Sequence, residues 1–316
     1  MAVDIENVRS IAGTEQYEDN DDLIGLIMSN ADASGQYVIF RNGFDNLYAI
    51  NVAKVEELVA YEEIELTENS NSFGIISGVA KIRGNIVPII NFDRWLGNEA
   101  DPSTYELIMV CNYGGERMGI VIKNVLGILS IDSNKMIDNS ELDEKTSFIT
   151  EISLSGVQGL CLVFDSDKLL LEVFPKIENN EMYKTHNLNL STPITGKVLS
   201  AEDSGVIRSA LKTVYEQLQL DYELFANGAL LLERLSQLDP NQVSLIITDL
   251  EMPVMDGIKM IEAIVEEPRY GGIPIVVNTN MANGSVASKC LSLGVHHIIP
   301  KLDVEDLSNA IKNYAR

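Results

Sequence analysis

The sequence predicts two folds in series: an all-β domain arranged as a pair of small β-barrels, then a doubly wound α/β domain on a five-stranded parallel sheet. Three observations carry this. Before about residue 175, short β-rich runs alternate with Gly- and Asn-containing turns, and after about residue 195, short apolar runs alternate with helical patterns. Within the first stretch a block recurs, YAINVAKVEELV (48–59) against MGIVIKNVLGIL (118–129). Between the two textures lies a polar stretch, rich in Asn and Thr and containing Pro193, with the composition of a linker. The expected boundaries are an N-terminal segment over 1–30, a β domain over 31–176, a linker over 177–195 and an α/β domain over 196–316.

In the first domain the repeat aligns Ile50 with Ile120, Val52 with Ile122, Val55 with Val125 and Leu58 with Ile128. Each block follows an earlier strand-like run, QYVIF or YELIMV, across a polar Gly-containing turn. Each is followed later by an apolar strand ending in Phe-Asp, IVPIINFD or GLCLVFD. Three elements in the same order imply two similar β units. Closing each sheet into a barrel would remove exposed edges. In the second domain KVLSA, DYELFAN, VSLIITD, PIVVNTN and VHHIIP read as strands. Helices are expected over 204–218, 229–238, 257–267, 284–293 and 304–314, the last capped by Asp303. Five β–α units of this length imply parallel strands with helices on both faces.

Composition removes several function classes. The chain carries 47 Asp+Glu against 23 Lys+Arg, a formal charge of −24. The span 1–190 holds 31 acids and 13 bases, net −18. Such a chain repels phosphate backbones and anionic lipid, and no basic run offsets this, so neither nucleic-acid binding nor membrane docking is expected. No apolar stretch approaches a membrane span, and the start MAVDIENVRS lacks the pattern of a signal peptide. Cys111, Cys161 and Cys290 lie in separate apolar runs, which fits buried, reduced thiols of a cytoplasmic protein. The span 1–175 contains no histidine, no phosphate-binding loop and no dinucleotide fingerprint, so no enzyme activity is expected there.

The chemistry concentrates where the second domain's strands end. The first strand ends in Glu202-Asp203, the third in Asp249, the fourth in Asn278-Thr279, and Lys301 follows the fifth. In a parallel sheet these ends converge on one rim. Three converging carboxylates repel one another unless a hard cation such as Mg²⁺ joins them. Lys301 adds a fixed positive charge and Thr279 a hydroxyl. The set suits a phosphoryl group arriving on Asp249 as nucleophile.

These residues, in TDLEMPVMDG with AED upstream and Thr279 and Lys301 downstream, closely resemble the receiver domain of bacterial response regulators, a flavodoxin-like fold. The resemblance implies that Asp249 is the phospho-acceptor, that Asp203 ligates Mg²⁺ directly and Glu202 through water, and that the Glu251 backbone carbonyl is a further ligand. Thr279 and Lys301 would contact the phosphoryl group. Two departures stand out: Ile298 occupies a position that is usually aromatic, and Pro300-Lys301 reverses the usual order. His296 and His297 beside this strand fit an edge or loop role better than a metal site.

The first domain, through YAINVAKVEELV, GVAKIRGNIVPIINF and ERMGIVIKNVLGI, resembles the CheW family of chemotaxis coupling proteins over about residues 34–175. That family folds as two small five-stranded, SH3-like barrels. A coupling domain followed by a receiver resembles CheV-type proteins. The resemblance implies an adaptor between methyl-accepting chemoreceptor tips and the chemotaxis histidine kinase, placed at cytoplasmic receptor arrays and modulated by phosphorylation. It assigns receptor contact to Val55, Glu57 and Arg83. From the residues alone, Arg83 serves equally as an internal bridge, Val55 as core, and Trp95 as a packed aromatic. A constitutive scaffold with a silent receiver is the alternative reading.

Overall fold

The computed structural model describes residues 35–68, 74–113, 116–131, 135–138, 143–154, 156–174, 194–280, 284–301 and 303–316. The expected N-terminal segment 1–30 and linker positions 177–193 lie outside the described residues. The chain divides into two compact units.

The first unit contains strands β1 (Gln36–Arg41), β2 (Leu47–Asn51), β3 (Val55–Ala60), β4 (Leu66–Glu68), β5 (Ile76–Ile82) and β6 (Asn85–Asn91). After the one-turn helix α1 (Phe92–Trp95) come β7 (Leu107–Tyr113), β8 (Glu116–Ile122), β9 (Asn124–Ser130), β10 (Ile137–Asp138), β11 (Thr146–Leu154) and β12 (Val157–Phe164); helix α2 (Ser166–Val173) follows, and the division between the units falls within it, after Leu169. Two six-stranded sheets result, ordered β10-β11-β12-β2-β1-β9 and β4-β5-β6-β8-β7-β3. The two orders are one pattern with the halves of the sequence exchanged. The β1–β2 hairpin joins β9–β12, and the β7–β8 hairpin joins β3–β6.

The repeat therefore marks a crossing. In each copy a strand (β2 or β8) ends, the chain passes over, and the next strand (β3 or β9) pairs in the other sheet. At the first crossing Asn51 caps a short 3₁₀ turn, its Oδ1 accepting from the Ala53 N–H at 2.9 Å. Two β units are present, as expected, but neither is built from one contiguous half, and each sheet has six strands where the resemblance implied five. A repeat in sequence reports equivalent strands; it does not report which sheet each strand joins.

Aromatic side chains pack at the joint of these elements. The rings of Phe92 and Phe164, from the two Phe-Asp strand ends, lie 5.0 Å apart, with Phe40, Tyr48 and Trp95 around them. Trp95 is 1% exposed, as a packed aromatic should be. Each such ring contributes about 1.5–3 kcal/mol by burial, and each edge-to-face pair about 0.5–1.5 kcal/mol more. The three cysteines are buried and unpaired. Burial pushes the Cys111 and Cys161 thiols up to about 12.

The second unit alternates β13 (Lys197–Ala201), α3 (Gly205–Gln217), β14 (Asp221–Phe225), α4 (Gly228–Ser236), β15 (Val243–Thr248), α5 (Gly257–Glu266), β16 (Ile275–Asn278), α6 (Gly284–Ser292), β17 (His297–Ile299) and α7 (Val304–Tyr314). All pairings are parallel, in the order β14-β13-β15-β16-β17. Alternation along the strands separates two cores. Leu199, Ile246 and Val277 meet Leu231, Met260 and Cys290 from α4, α5 and α6. Val198, Leu245 and Val276 meet Leu211 and Leu307 from α3 and α7. Ser204 caps α3, Asn227 caps α4, Asp256 caps α5 and Asp303 caps α7, each accepting from a backbone N–H of its first turn. The chain reverses direction across the sheet between β13 and β15, and in such folds the crevice at the strands' carboxyl ends is where ligands bind.

Candidate functional site

Four strands deliver polar side chains to that edge. Glu202 and Asp203 follow β13, Asp249 follows β15, Thr279 follows β16 and Lys301 follows β17. Lys301 Nζ lies 2.9 Å from Asp249 Oδ2 and 3.0 Å from Glu202 Oε1, and all three side chains are at most 1% exposed. Glu202 Oε1 also accepts from the Ser204 N–H at 3.1 Å. A carboxylate oxygen of Asp203 lies within 4.8 Å of one of Glu202. Asp249 Oδ1 accepts from the Leu250 N–H at 2.6 Å, and the Asp249 N–H donates to the Ala201 carbonyl at 2.9 Å. Asp249 Oδ2, although beside Lys301, receives no directed hydrogen bond.

Like charges crowd this edge. At about 3 Å and an effective dielectric of about 20, each lysine–carboxylate contact contributes roughly 5 kcal/mol of attraction. Removing each ion from water costs several kcal/mol. One ammonium carries a single positive charge between the two carboxylates it touches, and Asp203 stands close beside Glu202. An all-oxygen donor set with a buried, under-coordinated Asp249 oxygen fits a hard divalent cation such as Mg²⁺.

Two further residues hold this edge in shape. Arg208, one turn into α3, donates from Nη1 to the Glu202 and Asp203 carbonyl oxygens, both at 2.7 Å, and so fixes the backbone that carries both acids. Its signal in the sequence was only an arginine shortly after an acidic pair. Gly257 packs on the acceptor's own backbone: a Cβ there would lie 2.1 Å from the Asp249 carbonyl oxygen. Contact with Asp249 leaves no mark in the sequence around Gly257. Thr279 is buried, and its N–H donates to the Ile299 carbonyl at 2.9 Å, which fixes the start of the loop after β16. Glu251 is half-buried, just beyond Leu250 on the same loop.

The neighbouring departures have plain structural places. Ile298 is half-buried and packs on the core formed with α4–α6. His297 Nε2 lies 3.1 Å from both Asp306 carboxylate oxygens, joining the edge strand to α7, and His296 Nδ1 accepts from the Ile275 N–H at 3.3 Å.

In the first unit Val55, Glu57 and Arg83 have different environments. Val55 is 4% exposed, so its side chain belongs to the core and offers no surface to a partner. Arg83 and Gly84 form the tight turn between β5 and β6 with φ of 44° and 86°, as a type I′ hairpin requires. The Arg83 side chain is 69% exposed, and its Nε lies 2.7 Å from Glu57 Oε2. Arg83 is therefore an internal bridge and a surface group at once.

A buried polar cluster absent from the expectations lies in the same unit. Asp93, 0% exposed, accepts from Asn42 Nδ2 at 2.7 Å, the Gly43 N–H at 2.9 Å and the Tyr105 hydroxyl at 3.0 Å. It ties the β1–β2 turn to α1.

Comparison with known proteins agrees with this architecture. Residues 36–174 match the CheW-like domain, and residues 198–312 match the response regulator receiver domain. Chemotaxis protein CheV1 of Helicobacter pylori is 28% identical over 301 residues, spanning 88% of this chain and 92% of the relative. CheV2 of the same organism is 26% identical over 295 residues, spanning 88% and 93%. Chemotaxis protein CheW of Klebsiella aerogenes is 31% identical over 140 residues, 43% of this chain and 81% of that protein. Both halves, in one order and over nearly the full length of the longer relatives, lead to one assignment: the chain belongs to the CheV-type family of chemotaxis coupling adaptors, a CheW-like domain followed by a receiver domain.

Proposed function

We propose that the protein couples chemoreceptors to the chemotaxis histidine kinase and that phosphorylation of Asp249 modulates this coupling. The observation that carries the reading is the buried Asp249 oxygen, held 2.9 Å from Lys301 and lacking a directed hydrogen bond. An oxygen so placed attacks the phosphorus of a phosphohistidine. The new O–P bond forms as the P–N bond breaks, and the imidazole leaves with the bonding pair and takes a proton from solvent. Lys301 neutralises charge that builds on the phosphoryl oxygens, and the Thr279 hydroxyl offers a donor to them. Asp203, Asp249, the Glu251 carbonyl and, through water, Glu202 would hold Mg²⁺, which supplies further charge neutralisation on the phosphoryl group when bound. The receiver then acts as a switch: the phosphoryl group favours the arrangement of the Thr279 loop that binds it better.

The coupling half rests on surface and fold. Arg83 is proposed as the receptor-facing group, with the buried Glu57 holding it from beneath and Val55 supporting both from the core. No helix among the described residues is long and apolar enough to cross a membrane. Location at receptor arrays would then arise through protein contacts at the cytoplasmic face.

The test is direct. Incubated with phosphoramidate and Mg²⁺, the wild type should gain one acid-labile phosphoryl group and Asp249→Asn none. Equal labelling of the two, or of neither, would refute the acceptor assignment. Arg83→Ala should weaken binding to a receptor signalling tip without changing that labelling.

A further inference from the structure

Between Asp249, which follows β15, and the start of α5 the chain runs through residues 250–256. Leu250, Met252, Pro253 and Asp256 are buried, and Glu251 and Met255 are half-buried. Val254 is the exposed member, 37% accessible. It is also the strained one. Its φ is 73°, and the Met255 N–H donates to the Pro253 carbonyl at 2.8 Å, closing a γ-turn around it. For a β-branched side chain this backbone region is an outlier, and the positive-φ γ-turn is the rare, strained form.

The loop on either side prevents relaxation. The Gly228 N–H donates to the Met255 carbonyl at 3.2 Å, the Gly257 N–H donates to the Leu250 carbonyl at 3.0 Å, and Asp256 caps α5 through the Lys259 N–H at 2.9 Å. The surrounding contacts thus hold an apolar, branched side chain in an unfavourable conformation and in water, on the segment that leaves the acceptor's own strand. Neither burial nor local propensity explains a valine here. Strain of this kind concentrates at functional sites.

Resting on the reading that Asp249 accepts phosphate, we infer that Val254 is a specificity-determining contact for the protein that carries the phosphohistidine. The acceptor's side chain is wholly buried, so a phosphohistidine can reach it only if its carrier lies against the rim formed by these loops. A small phosphodonor needs no such contact. The γ-turn presents Val254 as an apolar knob to the carrier while the rest of the loop stays packed.

The experiment compares two donors on the full chain: phosphoramidate with Mg²⁺, and the phosphorylated chemotaxis histidine kinase. The proteins are wild type, Val254→Gly and Val254→Asn. Glycine and asparagine both tolerate positive φ, and both remove the apolar branch. Labelling by phosphoramidate should agree within about twofold across the three, which also shows that the site remains folded. Transfer from the kinase should fall about tenfold in both variants. Unchanged kinase transfer, or an equal fall with both donors, would overturn the inference. If neither donor labels the wild type, the acceptor reading itself fails and this inference with it. If phosphoramidate labels all three proteins and the kinase serves all three equally, only the role of Val254 is lost.

Discussion

Two aspartates, one in each unit, are almost equally buried and have opposite designs. Asp93 in the CheW-like unit is surrounded by neutral donors that supply both of its oxygens: Asn42 Nδ2 to one, the Gly43 N–H and the Tyr105 hydroxyl to the other. Asp249 in the receiver has one oxygen satisfied by its neighbour's N–H and the other facing only the charge of Lys301, which Glu202 shares. Burial alone therefore does not identify a reactive carboxylate. The two differ in whether neighbouring donors complete the coordination: Asp93 is completed and acts as a fastener, whereas Asp249 Oδ2 is left to the charge of Lys301 and is the oxygen proposed to accept phosphate.

This contrast can be broken in four ways, taken from the largest expected effect. Asp93→Ala leaves an amide, a backbone N–H and a phenol buried without their acceptor, and should cost about 3 kcal/mol or more in urea unfolding of the first unit. Asp249→Asn should cost less, since the lost attraction to Lys301 is offset by relief of repulsion from Glu202 and by the desolvation cost of the charge removed. If the two losses are equal, the contrast fails. Mg²⁺ comes next. At a hundredfold excess over its dissociation constant it should stabilise the receiver by about 2.7 kcal/mol, read as a rise in melting temperature. In Asp203→Asn the rise should shrink, while the first unit should not respond at all.

Tyr105→Phe removes one of the donors to Asp93 and should cost about 1 kcal/mol. Burial, with Asp93 beside it, raises the phenol far above its ordinary value, so the hydroxyl remains a donor at every pH the fold tolerates. The smallest effect is electrostatic. The hydrogen-bonded Arg234 guanidinium, at 2.7 Å and 3.0 Å, with Lys197 also near, holds the Glu223 carboxyl below its usual range against the opposing effect of burial. A lowered folded-state value gives stability that is present above the unfolded value, about 4.3, and is lost as pH falls through the folded one. The stability gap between wild type and Arg234→Ala should therefore narrow between pH 5 and pH 3. A gap that widens on acidification would reverse the sign of this interaction.

The receiver was legible in the sequence almost residue by residue. Each strand there is a short apolar run flanked by its own cap or turn, and strand order in a right-handed parallel sheet follows from few choices. The residues of the proposed site stand out in the sequence because each lies within two residues of a strand's end or, for Glu251, on the loop that follows. Arg208 was missed because its partners are backbone carbonyls, which leave no mark in a sequence. The β unit was legible only in part. The internal repeat revealed equivalent strands, yet pairing between distant strands depends on tertiary packing, and nothing local to β2 or β3 states that they belong to different sheets. Val55 illustrates the same limit: its alternation fits a partner surface as well as a core, and only packing decides between them.

The exchange of strands between the halves has a consequence for heredity. Because β3–β6 are completed by β7–β8, and β9–β12 by β1–β2, no single break in the chain between them would release a self-sufficient fragment. The two lobes must be synthesised, degraded and inherited as one piece. Residues added at a hairpin tip such as that between β7 and β8 would leave every crossing strand in register.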